Sequence, residues 1–154
     1  MSASNKFNPT LLVGLGGRGS AIVDMIYKMI PAEQRSTVKT HVFDTNVNDL
    51  KELGLSKDDQ TQTSTGDLVR SYLQNGLRAN EPWQPHFPWF PQNPPPEIMD
   101  RTLTEGAGQV RFLSRLAFRA AIEAGKMSSL RDKIRSLYEA SGTSYETKPR
   151  VFIV

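Results

Sequence analysis

The sequence contains no cysteine and only two histidines, which excludes several kinds of protein chemistry. Without cysteine the chain has no disulfide, no thiol nucleophile and no cysteine-based metal site. His41 and His86 are far apart and lack the spacing of metal ligands, so we expect both to be structural. No metal site built from cysteine or histidine is therefore predicted.

Long apolar runs and a strong excess of charge are also missing. No apolar run approaches membrane-spanning length, and the N-terminal segment 1–6 lacks the apolar core of a signal peptide. These absences predict a cytoplasmic protein without a membrane span. The net charge is only +3, and the basic residues do not form a block with interleaved aromatics, so no nucleic-acid partner is expected.

A glycine-rich segment is the most informative feature that is present. It follows a short apolar strand, predicted at Thr10–Val13, and precedes apolar residues at helical spacing, namely Ala21, Ile22, Met25, Ile26 and Met29. Glycines at such a turn let backbone N–H groups approach a phosphate, and the helix N-terminus adds partial positive charge. The segment predicts a nucleotide-phosphate loop with the binding residues Gly14, Gly16, Gly17, Arg18, Gly19 and Ser20.

The order of elements predicts an α/β fold with a parallel sheet and helices on both faces. A second strand, Thr40–Phe43, ends at the polar turn formed by Asp44, Thr45 and Asn46. A short helix is predicted between Gly66 and Gly76, with Leu68, Val69, Tyr72 and Leu73 on its buried side. In such folds the ligand lies beyond the carboxyl ends of the strands, where both the glycine segment and the Asp44 turn are expected.

A segment rich in proline and aromatic residues interrupts this order and is predicted to be an insertion at about 77–105. Its centre, 82–96, holds seven prolines with Trp83, Phe87, Trp89 and Phe90 between them. Proline at that density excludes both a helix and a central strand. Two interpretations remain: a surface loop pinned by its aromatics to its own domain, or a segment that binds a protein partner.

A second glycine motif, formed by Gly106, Ala107, Gly108 and Gln109, introduces a long predicted helix. Its apolar face contains Val110, Leu113, Leu116, Ala117, Ala120, Ala121 and Ala124. Arg111, Arg115 and Arg119 form a basic stripe, which is either a solvated face or places Arg111 near phosphates. Because a cation is unfavourable at a helix N-terminus, a neighbouring anion would explain the position of Arg111.

The last predicted elements are a helix and a terminal strand. The helix contains Leu130, Ile134, Leu137 and Tyr138 and is predicted to end at Gly142. Residues 150–154 contain four consecutive apolar residues after Arg150, a pattern typical of a buried parallel strand. Because a parallel strand normally leads into a crossover connection, we expect the chain to be part of a longer protein, truncated after about the fourth strand.

The glycine pattern alone leaves two nucleotide classes open. Residues 14–19 satisfy Gly-x-Gly-x-x-Gly, and Asp44 at the end of the second strand suits a ribose hydroxyl, which favours an NAD(P)-binding module of an oxidoreductase. Against this, the gap from Gly19 to Asp44 exceeds the usual spacing of about 20 residues, and the motif at Gly106 has no standard place there. A Walker-type loop is excluded, since no Gly-Lys-Ser/Thr follows the glycines.

Together, three motifs resemble the tubulin/FtsZ superfamily, particularly its bacterial tubulin-like branch. Residues 16–19 are similar to the family's first Gly-Gly-x-Gly loop, and residues 43–46 to its Asn-Thr-Asp-type turn with Asp and Asn exchanged. Residues 106–111 are similar to its Gly-Ala-Gly loop, and 111–117 to a run of the tubulin-like branch. The resemblance covers nearly the whole chain except the insertion. The family's Gly-Gly-Gly-Thr-Gly-Ser-Gly loop, guanine-binding helix and acidic catalytic loop are absent from this sequence.

This resemblance implies a Rossmann-like GTP-binding domain that forms filaments and whose GTP hydrolysis is completed by a neighbouring protomer. The implied ligands are GTP or GDP, with Mg²⁺ as a possible companion. Residues 16–20 would hold the α- and β-phosphates, residues 44–46 would lie near the ribose or Mg²⁺, and residues 106–109 would approach the γ-phosphate. No catalytic residue is assigned within the chain. A dinucleotide-binding module and a non-catalytic interaction domain, with packing glycines only, are the alternatives.

Overall fold

A computed structural model describes residues 8–64, 66–75, 77–78, 81–102, 104, 110–141 and 148–154. Its sheet consists of the parallel strands β1 (Thr10–Leu15), β2 (Val38–Asp44), β3 (Gln60–Gln62) and β4 (Arg150–Ile153), in the order β3-β2-β1-β4. The described α-helices are α1 (Gly16–Met29), α2 (Val47–Lys51), α3 (Val69–Gln74), α4 (Pro96–Met99), α5 (Arg111–Glu123) and α6 (Ser128–Ser141). Short 3₁₀ helices cover Ala32–Thr37 and Lys57–Asp59. The predicted α/β fold with a parallel sheet is confirmed.

Helices cover both faces of the sheet, as predicted. On one face, α1 and α2 pack on Leu12 of β1 and Val42 of β2. On the other face, Leu137 of α6 packs against β1 and β2, and the ring of Phe118 of α5 lies edge-on to Phe43 at 5.3 Å. The carboxyl ends of β1 and β2 therefore lie side by side between the two layers of helices.

The apolar residues that predicted helix α1 do not all lie on its buried side. Val23 is fully buried and Ile26 partly so, whereas Ile22, Met25 and Met29 are 39%, 56% and 76% exposed. Apolar residues lie on both sides of this helix, so periodicity alone did not identify the inner side. The buried side of α1 contains the small residues Gly19 and Ser20 together with Val23 and Asp24.

The proline-rich segment packs against its own domain. Trp83, Phe87 and Phe90 are buried in one apolar cluster with residues of α3 and α5. This arrangement agrees with the interpretation of a loop pinned by its aromatics. Helix α3 lies within the predicted range and buries Val69, Tyr72 and Leu73, but Leu68 is 38% exposed rather than buried, because it precedes the helix.

Strand β4 is parallel to β1, as predicted, and its side chains are exposed in this chain; the burial that its apolar run predicts was expected for the longer protein. Val151, Phe152 and Ile153 are 55%, 52% and 67% exposed. The strand lies at the edge of the sheet and pairs with β1 on one side only. Gly142, the predicted end of α6, lies outside the described residues. In the described part of the chain no helix is both long and apolar enough to cross a bilayer.

Candidate functional site

A cleft of about 400 Å³ opens at the carboxyl ends of β1 and β2, where sequence analysis placed the ligand. Strand β1 and the start of α1 form one wall, and α5 forms the opposite wall. The lining residues are Leu15, Gly16, Phe43, Asp44, Thr45, Thr63, Ser114, Arg115 and Phe118. The cleft therefore combines apolar walls with a helix N-terminus, a carboxylate and a guanidinium.

The N-terminus of α1 is suited to bind an anion. The preceding residue, Leu15, offers no side-chain cap, and the first turn contains no acidic residue. The first backbone N–H groups of a helix have no partner within the helix, and they carry its partial positive charge. Gly16 is exposed at this position with φ of 71°, a conformation that glycine adopts without strain. The turn is made at Gly16, and Gly17 does not have a positive φ.

Two of the predicted binding glycines have packing roles. A Cβ atom on Gly14 would lie 2.7 Å from the carbonyl oxygen of Gly19, so strand β1 and helix α1 touch through their backbones here. A Cβ atom on Gly19 would collide with the carbonyl oxygen of Val154. The same oxygen accepts a hydrogen bond from Leu15 N at 2.9 Å. Glycine is required at both positions whether or not a ligand is present. Their contact with a nucleotide stays a prediction.

Gly17 is differently placed, because its α-carbon faces two carboxylates. A Cβ atom there would lie 3.1 Å from Asp49 Oδ2 and 3.6 Å from Asp44 Oδ2. Arg18 is exposed and lines a second cleft of about 450 Å³ together with Asp24, Asp49 and Glu52. Ser20 is buried and is not among the residues that line the main cleft, and its hydroxyl has no hydrogen-bond partner within the described part of the chain.

Asp44 is a buried carboxylate with one unused oxygen. The side chain is 6% exposed; Oδ1 accepts a hydrogen bond from Asn46 N at 2.8 Å, whereas Oδ2 is buried and has no hydrogen-bond partner among the described residues. Burial raises the pKa of Asp44 above its ordinary value; the charge of Asp49 adds to this rise, while hydrogen bonds from Asn46 and Thr45 oppose it. A buried acceptor without a partner is costly, so this oxygen is suited to a cation or a donor from outside the chain.

The remaining residues of the Asp44 turn hold the local backbone in place. Asn46 caps α2, since its side-chain oxygen accepts a hydrogen bond from Asn48 N at 3.0 Å, and its Nδ2 donates to Asp49 Oδ1 at 2.9 Å. Thr63 N donates to Asp44 O at 2.8 Å, which joins the turn to the end of β3. Asn46 is therefore a structural cap, and Asp44 and Thr45 line the cleft.

The structure brings Arg115, rather than Arg111, to the cleft. Arg111 is exposed at the first position of α5 and makes no ion pair with the described residues, whereas Arg115 lies one turn further along and is part of the cleft wall. Gly106, Ala107, Gly108 and Gln109 lie outside the described residues, so their predicted place beside the γ-phosphate stays a prediction.

Six residues that line the cleft were not among the predicted binding residues, namely Leu15, Phe43, Thr63, Ser114, Arg115 and Phe118. Strand β3 has only three residues, too few for a periodic signal, so the position of Thr63 was not expected. Arg115 was noted only as part of the basic stripe. Phe118 could have been found from helical spacing, because it lies seven residues, or two turns, after Arg111 on α5 and so faces the same side of that helix.

His41 is structural, as expected. Its ring is fully buried, and Nε2 lies 2.8 Å from Thr61 Oγ1. His86 Nε2 forms a hydrogen bond of 3.0 Å with Glu81 Oε1 on the surface of the insertion. Within the described residues, no cluster of three or more acidic, histidine or cysteine side chains is placed to hold a metal ion.

The strand order agrees with both nucleotide classes that the sequence left open, since an order of 3-2-1-4 also occurs in dinucleotide-binding sheets. A family model described as tubulin like matches residues 11–154, which is almost the whole chain. The chain belongs to the tubulin-like family. Neither a curated protein nor a solved structure matches it. The tubulin-like match runs from β1 through β4, so it includes the cleft and the insertion.

Proposed function

We propose that this tubulin-like chain is the N-terminal part of a GTP-binding domain whose full-length protein forms filaments in a nucleotide-dependent manner. Family membership supports GTP binding in general terms. The observation that carries the proposal is the buried, unpartnered Oδ2 of Asp44, next to Gly17 at the uncapped N-terminus of α1. A phosphate chain and its metal ion would satisfy both groups.

The phosphates would be bound by backbone N–H groups at the start of α1, at residues 16–18. Asp44 fits a role as Mg²⁺ ligand, because Mg²⁺ at nucleotide sites is held by one or two carboxylates together with phosphate oxygens and water. The ion, when bound, would neutralise charge on the phosphates. Residues 106–109 would approach the γ-phosphate, and the resemblance assigns completion of hydrolysis to an acidic residue of the neighbouring protomer.

The insertion would contribute little of its aromatic surface to any protein partner. Trp83, Phe87 and Phe90 are buried within the chain, so a partner of 82–96 would contact proline and polar side chains instead. Self-association is the interaction that family membership supports best.

Isothermal titration of the full-length protein with GTP and with NAD, in the presence of Mg²⁺, tests the proposal. We expect GTP to bind more tightly, because a γ-phosphate loop at Gly106 has a place in a triphosphate site and none in a dinucleotide site. Tighter binding of NAD would replace the proposal with the oxidoreductase alternative. Binding of neither ligand would favour an interaction domain with packing glycines.

A further inference from the structure

Two arginines of α5 lie on aromatic rings of the proline-rich insertion. The guanidinium carbon of Arg115 is 4.5 Å from the centre of the Trp89 ring, and that of Arg119 is 4.4 Å from the centre of the Phe87 ring. Both distances lie within the range of cation–π attraction. The two pairs thus have nearly the same geometry but lie one helical turn apart.

The two arginines differ in what else they contact. Arg119 donates to Glu123 Oε1 at 2.8 Å and to the carbonyl oxygen of His86 at 3.2 Å, away from the cleft. Arg115 lines the cleft, and it has no carboxylate partner in the described part of the chain. It therefore forms no ion pair with the described residues, and it lines the same cleft as the positive end of α1, a combination that favours an anion there.

Trp89 is held firmly enough to fix a neighbouring side chain. It is partly buried against the α3–α5 cluster and lies edge-on to Phe87 and Phe90, with ring centres 6.1 Å and 6.0 Å away. A guanidinium that lies on a ring keeps its N–H groups free at its edge, where they can bind phosphate oxygens in pairs. A flexible side chain restricted in this way loses less entropy when the anion binds.

We propose that Trp89 is a positioning residue that holds Arg115 at the cleft, where Arg115 binds the phosphate chain of a nucleoside triphosphate. This inference rests on the proposed function and extends it, since it gives the insertion a role in nucleotide affinity. Three independent features meet in the cleft: the free cation, the helix N-terminus and the unpartnered Asp44 oxygen.

The first test compares two matched substitutions in the full-length protein, Arg115→Lys and Arg119→Lys. Each keeps the charge and removes the planar group that lies on the ring. We expect Arg115→Lys to weaken GTP binding about tenfold in isothermal titration, since it loses a paired charge-assisted contact. Arg119→Lys should keep the wild-type affinity. Equal affinities for Arg115→Lys and wild type would overturn the inference.

The second test measures the coupling between Trp89 and Arg115. Trp89→Leu keeps an apolar side chain without a ring, and we expect GTP affinity to fall about fivefold; Trp89→Phe keeps a ring and should restore most of it. In an Arg115→Ala background, Trp89→Leu should have no further effect. Equal effects of Trp89→Leu in both backgrounds would show that Trp89 is only a packing residue. Melting curves establish that each variant is folded.

The outcome for the wild type separates this inference from the function on which it rests. If the wild-type protein binds GTP and Arg115→Lys binds it equally well, only the role of Arg115 and Trp89 is lost. If the wild type does not bind GTP at all, the proposed function falls, and this inference falls with it.

Discussion

Gly14 and Gly17 belong to the same loop, but a side chain would meet different surroundings at each position. At Gly14 a Cβ atom would press on the backbone of Gly19 and Ser20, which cannot move without separating β1 from α1. At Gly17 it would meet the end of the Asp49 side chain, which can rotate away. The glycine pattern by itself does not distinguish these two roles.

We predict that Gly14→Ala lowers the free energy of unfolding by about 2 kcal/mol in the absence of any ligand, because overpacking against backbone forces β1 and α1 apart.

Gly17→Val should lower the free energy of unfolding by no more than about 1 kcal/mol, yet abolish GTP binding by blocking the approach of a phosphate to the backbone. Urea denaturation and isothermal titration of both variants measure the two effects. A large loss of stability in Gly17→Val would identify Gly17 as a packing glycine as well.

The ammonium group of Lys133 connects helix α6 to strand β2 and to the 3₁₀ helix at Lys57–Asp59. Lys133 Nζ donates to the carbonyl oxygens of Thr40 and Asp58 at 2.9 Å and 2.7 Å, and it forms an ion pair with Asp59. It also lies 3.1 Å from Nδ1 of His41. Because an ammonium group only donates hydrogen bonds, His41 Nδ1 must be the acceptor, and the ring is neutral in this arrangement.

This arrangement predicts that stability falls as the pH is lowered. Burial, reinforced by the charge of Lys133, lowers the pKa of His41 to about 4 in the folded state. The unfolded chain therefore takes up a proton near the ordinary histidine pKa of about 6.5, whereas the folded chain resists it until about pH 4. As the pH falls between these two pKa values, the free energy of unfolding decreases by up to about 3 kcal/mol. Urea denaturation at about pH 7 and about pH 5 measures the loss.

The control for this prediction is the other histidine. His41→Gln should show a smaller loss of stability over this pH range, and His86→Gln, at an exposed position, should keep the wild-type loss. Asp44 acts in the opposite direction, because its pKa is raised in the folded state, so lowering the pH favours folding at that residue. An unchanged pH dependence in His41→Gln would contradict the assignment of the effect to His41.

The elements that could be predicted from the sequence are those with a strong local signal. Strands β1 and β2 have apolar runs next to glycine or polar turns, and α5 buries most of its predicted face, including Leu113, Leu116 and Ala117. Strand β3 and helix α4 are too short to show a period, so neither was predicted. The sequence located the cleft but did not identify Arg115 as part of its wall, because no local pattern encodes how α5 packs beside the distant strands β1 and β2.

At the scale of the whole molecule, β4 presents an exposed apolar edge strand. Val151, Phe152 and Ile153 are each more than half exposed, and their outer edge has no neighbouring strand in the described part of the chain. Edges of this kind pair with other chains. The chain of residues 1–154 should therefore self-associate through β4.

We predict that Phe152→Lys shifts the chain towards monomer, because a charged side chain at an edge strand opposes pairing with a second copy. Size-exclusion chromatography with light scattering measures the change. Tyr138→Lys, on the exposed side of α6 where Tyr138 is 66% exposed, is the matched control and should leave the association unchanged. A wild-type chain that stays monomeric at high concentration would contradict the prediction.

The contact of Val154 with the glycine-rich segment at Leu15 and Gly19 has a consequence for folding during synthesis. Leu15 and Gly19 are synthesised well before Val154, whose carbonyl oxygen lies against them. Strands β1 and β2 with α1 can pair early, whereas contacts between distant segments form late in folding. A nascent chain thus contains the glycine-rich segment long before that segment reaches its folded geometry. The proposed nucleotide binding would therefore follow folding of the sheet rather than guide its first steps.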